Sequence, residues 1–137
     1  MTDDTLVLVV EDNEVDREAV ARALSRSHPE LTLEFVPDGD AAVTRLHDPS
    51  RPRPGLLLLD LNMPGTDGHR VLSDLRADGA FDDTTIIVFT SSTTTEDIDR
   101  CYAAGADSYV YKPVNFALFR TVLQGAVDYW LENRASG

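Results

Sequence analysis

The chain has 137 residues, of which 42% are hydrophobic, and a formal net charge of −12 from 24 acidic and 12 basic residues. This length predicts one domain spanning residues 1–137, with a core from about 6 to 130. The acidic balance argues against a nucleic-acid surface. A single cysteine, an N-terminus unlike a signal peptide and the lack of a run of roughly 20 apolar residues predict a cytoplasmic protein with no internal disulfide and no membrane span.

Five short apolar segments alternate with amphipathic ones along the chain, a pattern typical of an α/β fold whose parallel sheet is covered by helices on both faces. Since the apolar residues run continuously rather than alternating, both faces of each strand are predicted to be buried. The segment His47–Gly55, rich in proline and arginine, predicts a surface loop. The predicted strands are Leu6 to Val10, Leu31 to Val36, Leu56 to Leu59, Ile86 to Phe89 and Tyr109 to Tyr111.

Helices are predicted between these strands and after the last one. The first helix starts after a candidate capping residue, Asn13, and the second starts at Asp38–Gly39. The third opens near Gly68, and the fourth follows Ser91–Thr95 and stops near Gly105. The last helix has the clearest i, i+3, i+4, i+7 pattern. The apolar stripes of the first and last helices comprise Val15, Ala19, Ala23 and Leu24, and Phe119, Val122, Leu123, Ala126, Val127 and Trp130.

Polar residues stand where four of the predicted strands end. Glu11 and Asp12 follow the first strand, Asp60 the third, Thr90 the fourth and Lys112 the fifth. In an open parallel sheet, ligands bind in the crevice at these ends. Three carboxylates in one crevice repel each other by about 4 kcal/mol per pair at 4 Å and an effective dielectric near 20. A cation is therefore expected there: Lys112 supplies one charge, and a divalent ion with oxygen ligands, Mg²⁺ or Mn²⁺, supplies the rest.

Over about Leu6 to Trp130, the chain resembles the receiver domain of two-component response regulators. The resemblance implies a flavodoxin-like fold of five βα units, with a five-stranded parallel sheet of order 2-1-3-4-5. It rests on five fragments in the order of the family: Val10–Asn13, Leu59–Gly65, Thr90–Ser91, Gly105–Tyr109 and Lys112–Pro113.

The resemblance also implies the chemistry of the crevice. Asp60 would accept a phosphoryl group from the phosphohistidine of a sensor histidine kinase. Asp12 would bind Mg²⁺ directly, Glu11 would bind it directly or through water, and the backbone carbonyl of Asn62 would complete the protein ligands. Phosphoryl transfer needs such cations, because they neutralise the charge on the transferred oxygens.

Three further residues match functional positions of the family. Lys112 would pair with the phosphoryl group, Thr90 would hydrogen-bond it, and Tyr109 would be the aromatic switch that turns as Thr90 moves. The expected result is a changed surface on the fourth and fifth strands and helices. The protein would then be a phosphoacceptor switch, with self-catalysed phosphotransfer and dephosphorylation, rather than a turnover enzyme.

Partners are predicted from the resemblance and from the last helix. The likeness is to stand-alone receivers paired with phytochrome-type or hybrid sensor kinases, acting through a downstream protein partner and not on nucleic acid or membranes. Apolar residues beside the main stripe of the last helix predict a homodimer through that helix. These residues are Phe116, Leu118, Tyr129 and Leu131.

Two other function classes share parts of this pattern. A phosphatase of the haloacid dehalogenase type also uses an aspartate at a strand end, but it usually has a second aspartate where Asn62 stands. A flavin-binding module of the same fold should have a phosphate loop where Glu11–Glu14 would repel phosphate. Surface structural roles are predicted for His28, His47 and His69, and a packing role for Cys101.

Overall fold

The computed structural model describes residues 2–61, 63, 67–77, 79–91 and 94–136, with side chains up to residue 133. Within these residues, five parallel strands alternate with five helices, and the sheet order is β2-β1-β3-β4-β5, as predicted. The strands are Thr2–Val10 (β1), Thr32–Val36 (β2), Arg53–Asp60 (β3), Thr85–Thr90 (β4) and Ser108–Tyr111 (β5). The helices are Glu14–Ser27 (α1), Gly39–Leu46 (α2), Gly68–Ala77 (α3), Thr95–Ala103 (α4) and Phe116–Ser136 (α5).

The three central strands send alternate side chains into two buried layers, because successive residues of a strand point to opposite faces of the sheet. In β1, Leu8 and Val10 join α2, α3 and α4 in one layer, while Val7 and Val9 join α1 and α5 in the other. Both faces of β1, β3 and β4 are buried near the crevice end, as predicted. The edge strands β2 and β5 are only half-buried or exposed, so the same prediction is wrong for them.

Two local predictions differ from the structure. Val15 is 75% exposed, whereas the rest of the predicted α1 stripe is buried. Val15 lies in the first turn of α1. The strand β3 begins at Arg53, inside the segment predicted as a loop, because Arg53 and Pro54 extend the pairing of β3 with the start of β1.

Two loops that lead into helices place backbone close to the crevice. Asn13 caps α1 as predicted, and its Oδ1 accepts a hydrogen bond of 3.1 Å from the amide of Asp16. At the start of α3, a Cβ on Gly68 would lie 2.6 Å from Cδ2 and 3.1 Å from Cα of Leu61, so a larger residue would require the Leu61 side chain to move. The start of α3 is thereby packed against the residue that follows Asp60.

The helices α1 and α5 pack side by side on one face of the sheet. The Nε2 of Gln124 donates a hydrogen bond of 2.7 Å to the carbonyl oxygen of Ala23. His28 is buried, with Nδ1 at 2.6 Å from Ser27 Oγ and Nε2 at 3.3 Å from Asp128 Oδ1. The predicted surface position of His28 is therefore wrong, and this side chain instead joins the two helices.

The other histidines and the cysteine fit their predictions more closely. His47 is exposed, and His69 is half-buried between α3 and α4 with Nδ1 3.8 Å from Cys101 Sγ. Cys101 is fully buried in the core, as a packing residue should be. Burial, with a smaller contribution from Asp97, raises the pKa of its thiol to about 11. None of the helices described is both long and apolar enough to cross a membrane.

Candidate functional site

The ends of β1 and β3 form a crevice, because the chain connections from these neighbouring strands run to opposite sides of the sheet. Asp60 is the last residue of β3, and Glu11 and Lys112 directly follow β1 and β5. The Nζ of Lys112 lies 3.2 Å from Oδ2 of Asp60 and 3.3 Å from Oε2 of Glu11. The structure thus brings together three of the residues that the sequence placed in one site.

Glu11 is the most deeply buried of these acids. Its Oε1 accepts a hydrogen bond of 3.0 Å from the amide of Asn13, and its own amide donates to the carbonyl of Val36. Burial, a hydrogen bond with Asp60 and the charge of Asp60 raise the pKa of Glu11 to about 8. Below that pH a proton and a cation compete for this carboxylate, so binding of a cation there is expected to release a proton.

Lys112 is the only lysine of the sequence; the other positively charged side chains, histidine aside, are arginines. Burial acts to lower its pKa, but a hydrogen bond to Asp16 and the charges of Asp60, Glu11 and Asp16 outweigh burial and raise it. The ammonium group therefore stays charged. A compact ammonium can contact several carboxylates at once, whereas the flat guanidinium of arginine favours paired contacts with one of them.

Asp16 also belongs to the crevice, although the motifs of the sequence did not indicate it. Its Oδ2 lies 2.5 Å from Lys112 Nζ, closer than the oxygens of Glu11 and Asp60. One carboxylate oxygen from each of these three acids lies within 4.8 Å of the other two. The position of Asp16 in the sequence could have indicated this. It stands three residues after the capping residue, where the first turn of a helix faces the strand ends.

The other two predicted metal ligands stay predictions. Asp12 is exposed and lines the crevice beside Asn13, outside the cluster formed by Glu11, Asp16 and Asp60. Its role as a direct ligand stays a prediction. Asn62, whose carbonyl was predicted to complete the site, lies outside the described residues.

The predicted switch residues occupy the next two strands. Thr90 ends β4, is fully buried, and accepts a hydrogen bond of 2.8 Å at its carbonyl from the amide of Lys112. Tyr109 in β5 is half-buried against the core layer that contains Cys101, and its amide donates to the hydroxyl of Tyr102. Asp60, Thr90 and Tyr109 therefore lie on three neighbouring strands of the sheet, β3, β4 and β5.

The arrangement can hold a cation and expose a nucleophile. Asp60 is only 2% exposed, yet it lines a crevice of about 640 Å³ that opens to solvent. Oxygen ligands from several carboxylates suit a hard divalent cation, and the nearby ammonium can balance charge on a bound anion. The site therefore combines a carboxylate with the positive charge that phosphoryl transfer requires.

Known proteins resemble this chain over most of its length. A family model described as the response regulator receiver domain matches residues 7–124. The probable methanogenesis regulatory protein FilR2 of Methanothrix harundinacea is 34% identical over 139 residues, covering 98% of this chain and 90% of that protein. The response regulator Rcp1 of Synechocystis is 31% identical over 131 residues, covering 93% and 89%.

Solved structures show the same likeness in three dimensions. The phosphorylated cyanobacterial phytochrome response regulator RcpA superposes with a TM-score of 0.87 at 28% identity, covering 96% of both chains. The Mn²⁺-bound form of Rcp1 superposes with a TM-score of 0.86 at 31% identity, covering 93% of this chain and 95% of that one. The similarity therefore extends over nearly the full length of these proteins.

Proposed function

The chain belongs to the family of response regulator receiver domains of two-component systems, and we propose that it is a phosphorylation switch with Asp60 as the phosphoacceptor. The observation that carries this assignment is the position of Asp60, at a strand end in the crevice with the Lys112 ammonium 3.2 Å away. Family membership leaves no support for the haloacid dehalogenase and flavin-binding alternatives.

In the proposed reaction, a carboxylate oxygen of Asp60 forms a bond to phosphorus while the bond from phosphorus to the donor imidazole nitrogen breaks. The imidazole keeps the electron pair of that bond and takes up a proton. Lys112 is positioned to neutralise charge on the transferred oxygens, and the hydroxyl of Thr90 is the proposed hydrogen-bond donor to them. The protein is a phosphoacceptor that also hydrolyses its own acyl phosphate, and not a turnover enzyme.

The residues present suit a divalent metal ion, Mg²⁺ or Mn²⁺. Carboxylates of Glu11 and Asp60 lie together in the crevice, Asp12 lines it, and the carbonyl of Asn62 is the fourth proposed ligand. When bound, the ion would neutralise charge on the phosphoryl oxygens. The likeness to Rcp1, which has been solved in a Mn²⁺-bound form, supports this proposal.

The proposed signal passes from Asp60 through Thr90 to Tyr109. A phosphoryl group adds a charge of about −1.5 to −2, which attracts the hydroxyl of Thr90 and opens space behind it for the Tyr109 ring. Tyr109 is half-buried in β5 beside α4, so its rotation would reshape the surface of β4, α4, β5 and α5.

The proposed partners are proteins. The protein would act in the cytoplasm, and the phosphodonor would be a sensor histidine kinase of the phytochrome or hybrid type, supported by the likeness to RcpA, a phytochrome response regulator. The output would be a downstream protein partner, because the net charge of −12 disfavours direct contact with nucleic acid or with anionic membranes. A single domain over residues 1–137 stays part of this proposal.

A homodimer through α5 is also proposed. Leu118 and Tyr129 are 52% and 57% exposed on α5. Val122 lies between them at helical spacing, and Tyr111 is exposed on the neighbouring edge strand. A second copy could cover these partly exposed apolar side chains.

We expect light scattering after gel filtration to give the mass of a dimer for the wild type and of a monomer for Leu118→Glu. Thr44→Glu adds the same charge at an exposed position of α2, on the other face of the sheet, and should leave the dimer intact. A wild type that is monomeric before and after phosphorylation would contradict the proposed dimer.

The phosphorylation itself is tested by intact mass. Incubation with acetyl phosphate or phosphoramidate and Mg²⁺ should add one phosphate that is stable in acid and lost in base, and a chelator should prevent its addition. Two chemically different donors are needed, because acetyl phosphate can also acetylate Lys112. No phosphate gain with either donor in the presence of Mg²⁺ would rule out the phosphoacceptor function.

A further inference from the structure

The crevice contains one more acid than the proposed chemistry uses, and this inference about it rests on the proposed function. We propose that Asp16 is a positioning residue, which anchors the Lys112 ammonium beside Asp60 when a divalent cation occupies the other carboxylates. Asp16 itself would bind neither the metal nor the phosphoryl group.

The geometry of the ammonium group supports this role. Lys112 Nζ lies 2.5 Å from Asp16, 3.2 Å from Asp60 and 3.3 Å from Glu11. An ammonium has three N–H donors, so each donor has one carboxylate partner in this arrangement. Asp16 makes the shortest of the three contacts, and its backbone is held at the start of α1 by the cap from Asn13.

Competition between the two cations explains why such an anchor is needed. A divalent ion would use oxygens of Glu11 and Asp60 that Lys112 also contacts, so its binding would weaken the contacts of the lysine with those two acids. A lysine side chain has several rotatable bonds and would then favour solvent. Asp16 gives it a partner outside the shared pair, which keeps the ammonium next to Asp60.

Exposure separates Asp16 from the shared acids. The side chains of Glu11 and Asp60 are 1% and 3% exposed, while that of Asp16 is 32% exposed at the rim of the crevice. A carboxylate at the rim keeps part of its hydration whether or not a metal is bound. Asp16 is therefore suited to a lasting pair with Lys112, whereas Glu11 and Asp60 are suited to exchange their cation.

The variant Asp16→Asn tests the anchor, because it removes the charge and keeps the side-chain volume. At saturating Mg²⁺, we expect phosphate uptake from phosphoramidate to slow by about five- to tenfold, which corresponds to roughly 1 kcal/mol. The dissociation constant of Mg²⁺, measured by titration, should change by less than about threefold. Glu18→Gln is the matched control, since it removes one acid from the same helix away from the crevice and should leave both values unchanged.

A direct readout comes from the single lysine. Protein labelled with ¹⁵N-lysine has one side-chain ammonium signal, because Lys112 is the only lysine. In the wild type with Mg²⁺, the hydrogen bond to Asp16 should slow exchange of the ammonium protons with water. In Asp16→Asn with Mg²⁺, exchange should be faster and the signal broader, while Glu18→Gln should match the wild type.

The outcomes distinguish the proposed anchor from the proposed function. A wild type that takes up no phosphate would remove the phosphoacceptor assignment, but the ammonium signal would still report on the anchor. Equal uptake rates and equal ammonium signals in Asp16→Asn and the wild type would overturn the anchor alone. A loss of Mg²⁺ affinity that excess Mg²⁺ reverses, with full recovery of the rate, would overturn it by making Asp16 a metal ligand.

Discussion

Replacing Asp60 with asparagine is expected to abolish phosphate uptake, with a fall in rate of more than about a thousandfold. The introduced amide would have nearly the same volume as the carboxylate, but it is a poor nucleophile and lacks the negative charge that attracts a cation. Asp60 is buried, with its side chain in contact with Lys112, so a larger substitution would change the packing as well. Intact mass after incubation with phosphoramidate and Mg²⁺ measures the effect.

Asp38→Asn is the matched control for this substitution. Asp38 also follows a strand, β2, but it caps α2 by accepting a hydrogen bond of 2.8 Å from the amide of Ala41. Asparagine caps helices as well as aspartate does, so this variant should fold and take up phosphate normally. If Asp60→Asn gained phosphate at the rate of the wild type, another residue would be the acceptor.

Removing the charge of Lys112 is the second substitution with a large expected effect. In Lys112→Met, no ammonium faces the transferred oxygens, and phosphate uptake should slow by about a hundredfold, as for other fixed charge contacts in transition states. The same change leaves Glu11, Asp16 and Asp60 without their shared cation. Adding Mg²⁺ should therefore raise the melting temperature of the variant by more than that of the wild type.

Lys112→Arg separates charge from geometry. Arginine keeps the positive charge, but its flat guanidinium cannot place one donor on each of three surrounding carboxylates. We expect uptake between that of Lys112→Met and the wild type, and a smaller gain in melting temperature from Mg²⁺ than in Lys112→Met. An uptake rate in Lys112→Met equal to that of the wild type would contradict the assigned role of the lysine.

Much of the fold followed from local patterns in the sequence. The apolar segments located all five strands to within a few residues, and Asn13, Asp38 and Gly105 marked helix ends where the structure has them. The largest boundary errors were at the starts of β1 and β3, which begin at Thr2 and Arg53 because these two segments pair with each other despite their polar and turn-forming composition. Strand order itself came from the family resemblance and not from periodicity.

The candidate site was partly predictable for a related reason. Strand ends are local features, and parallel strands bring their carboxyl ends to one edge, so the sequence alone was enough to place Glu11, Asp60 and Lys112 together. It was not enough for Asp16, which lies on a helix, because its distance from Lys112 depends on how the first turn of α1 is oriented over the sheet. The orientation of the same turn also explains why Val15 is exposed.

The sequence by itself determined the alternation of strands and helices, the acidic character of the chain and the polar residues at the strand ends. Periodicity and composition carry this information, because they record which faces of each element avoid water. Only the tertiary structure decided that Asp16 contacts Lys112, that His28 joins α1 to α5, and that β2 and β5 have exposed faces. These contacts join residues up to 100 positions apart, so they depend on how packed elements are oriented and not on any local pattern.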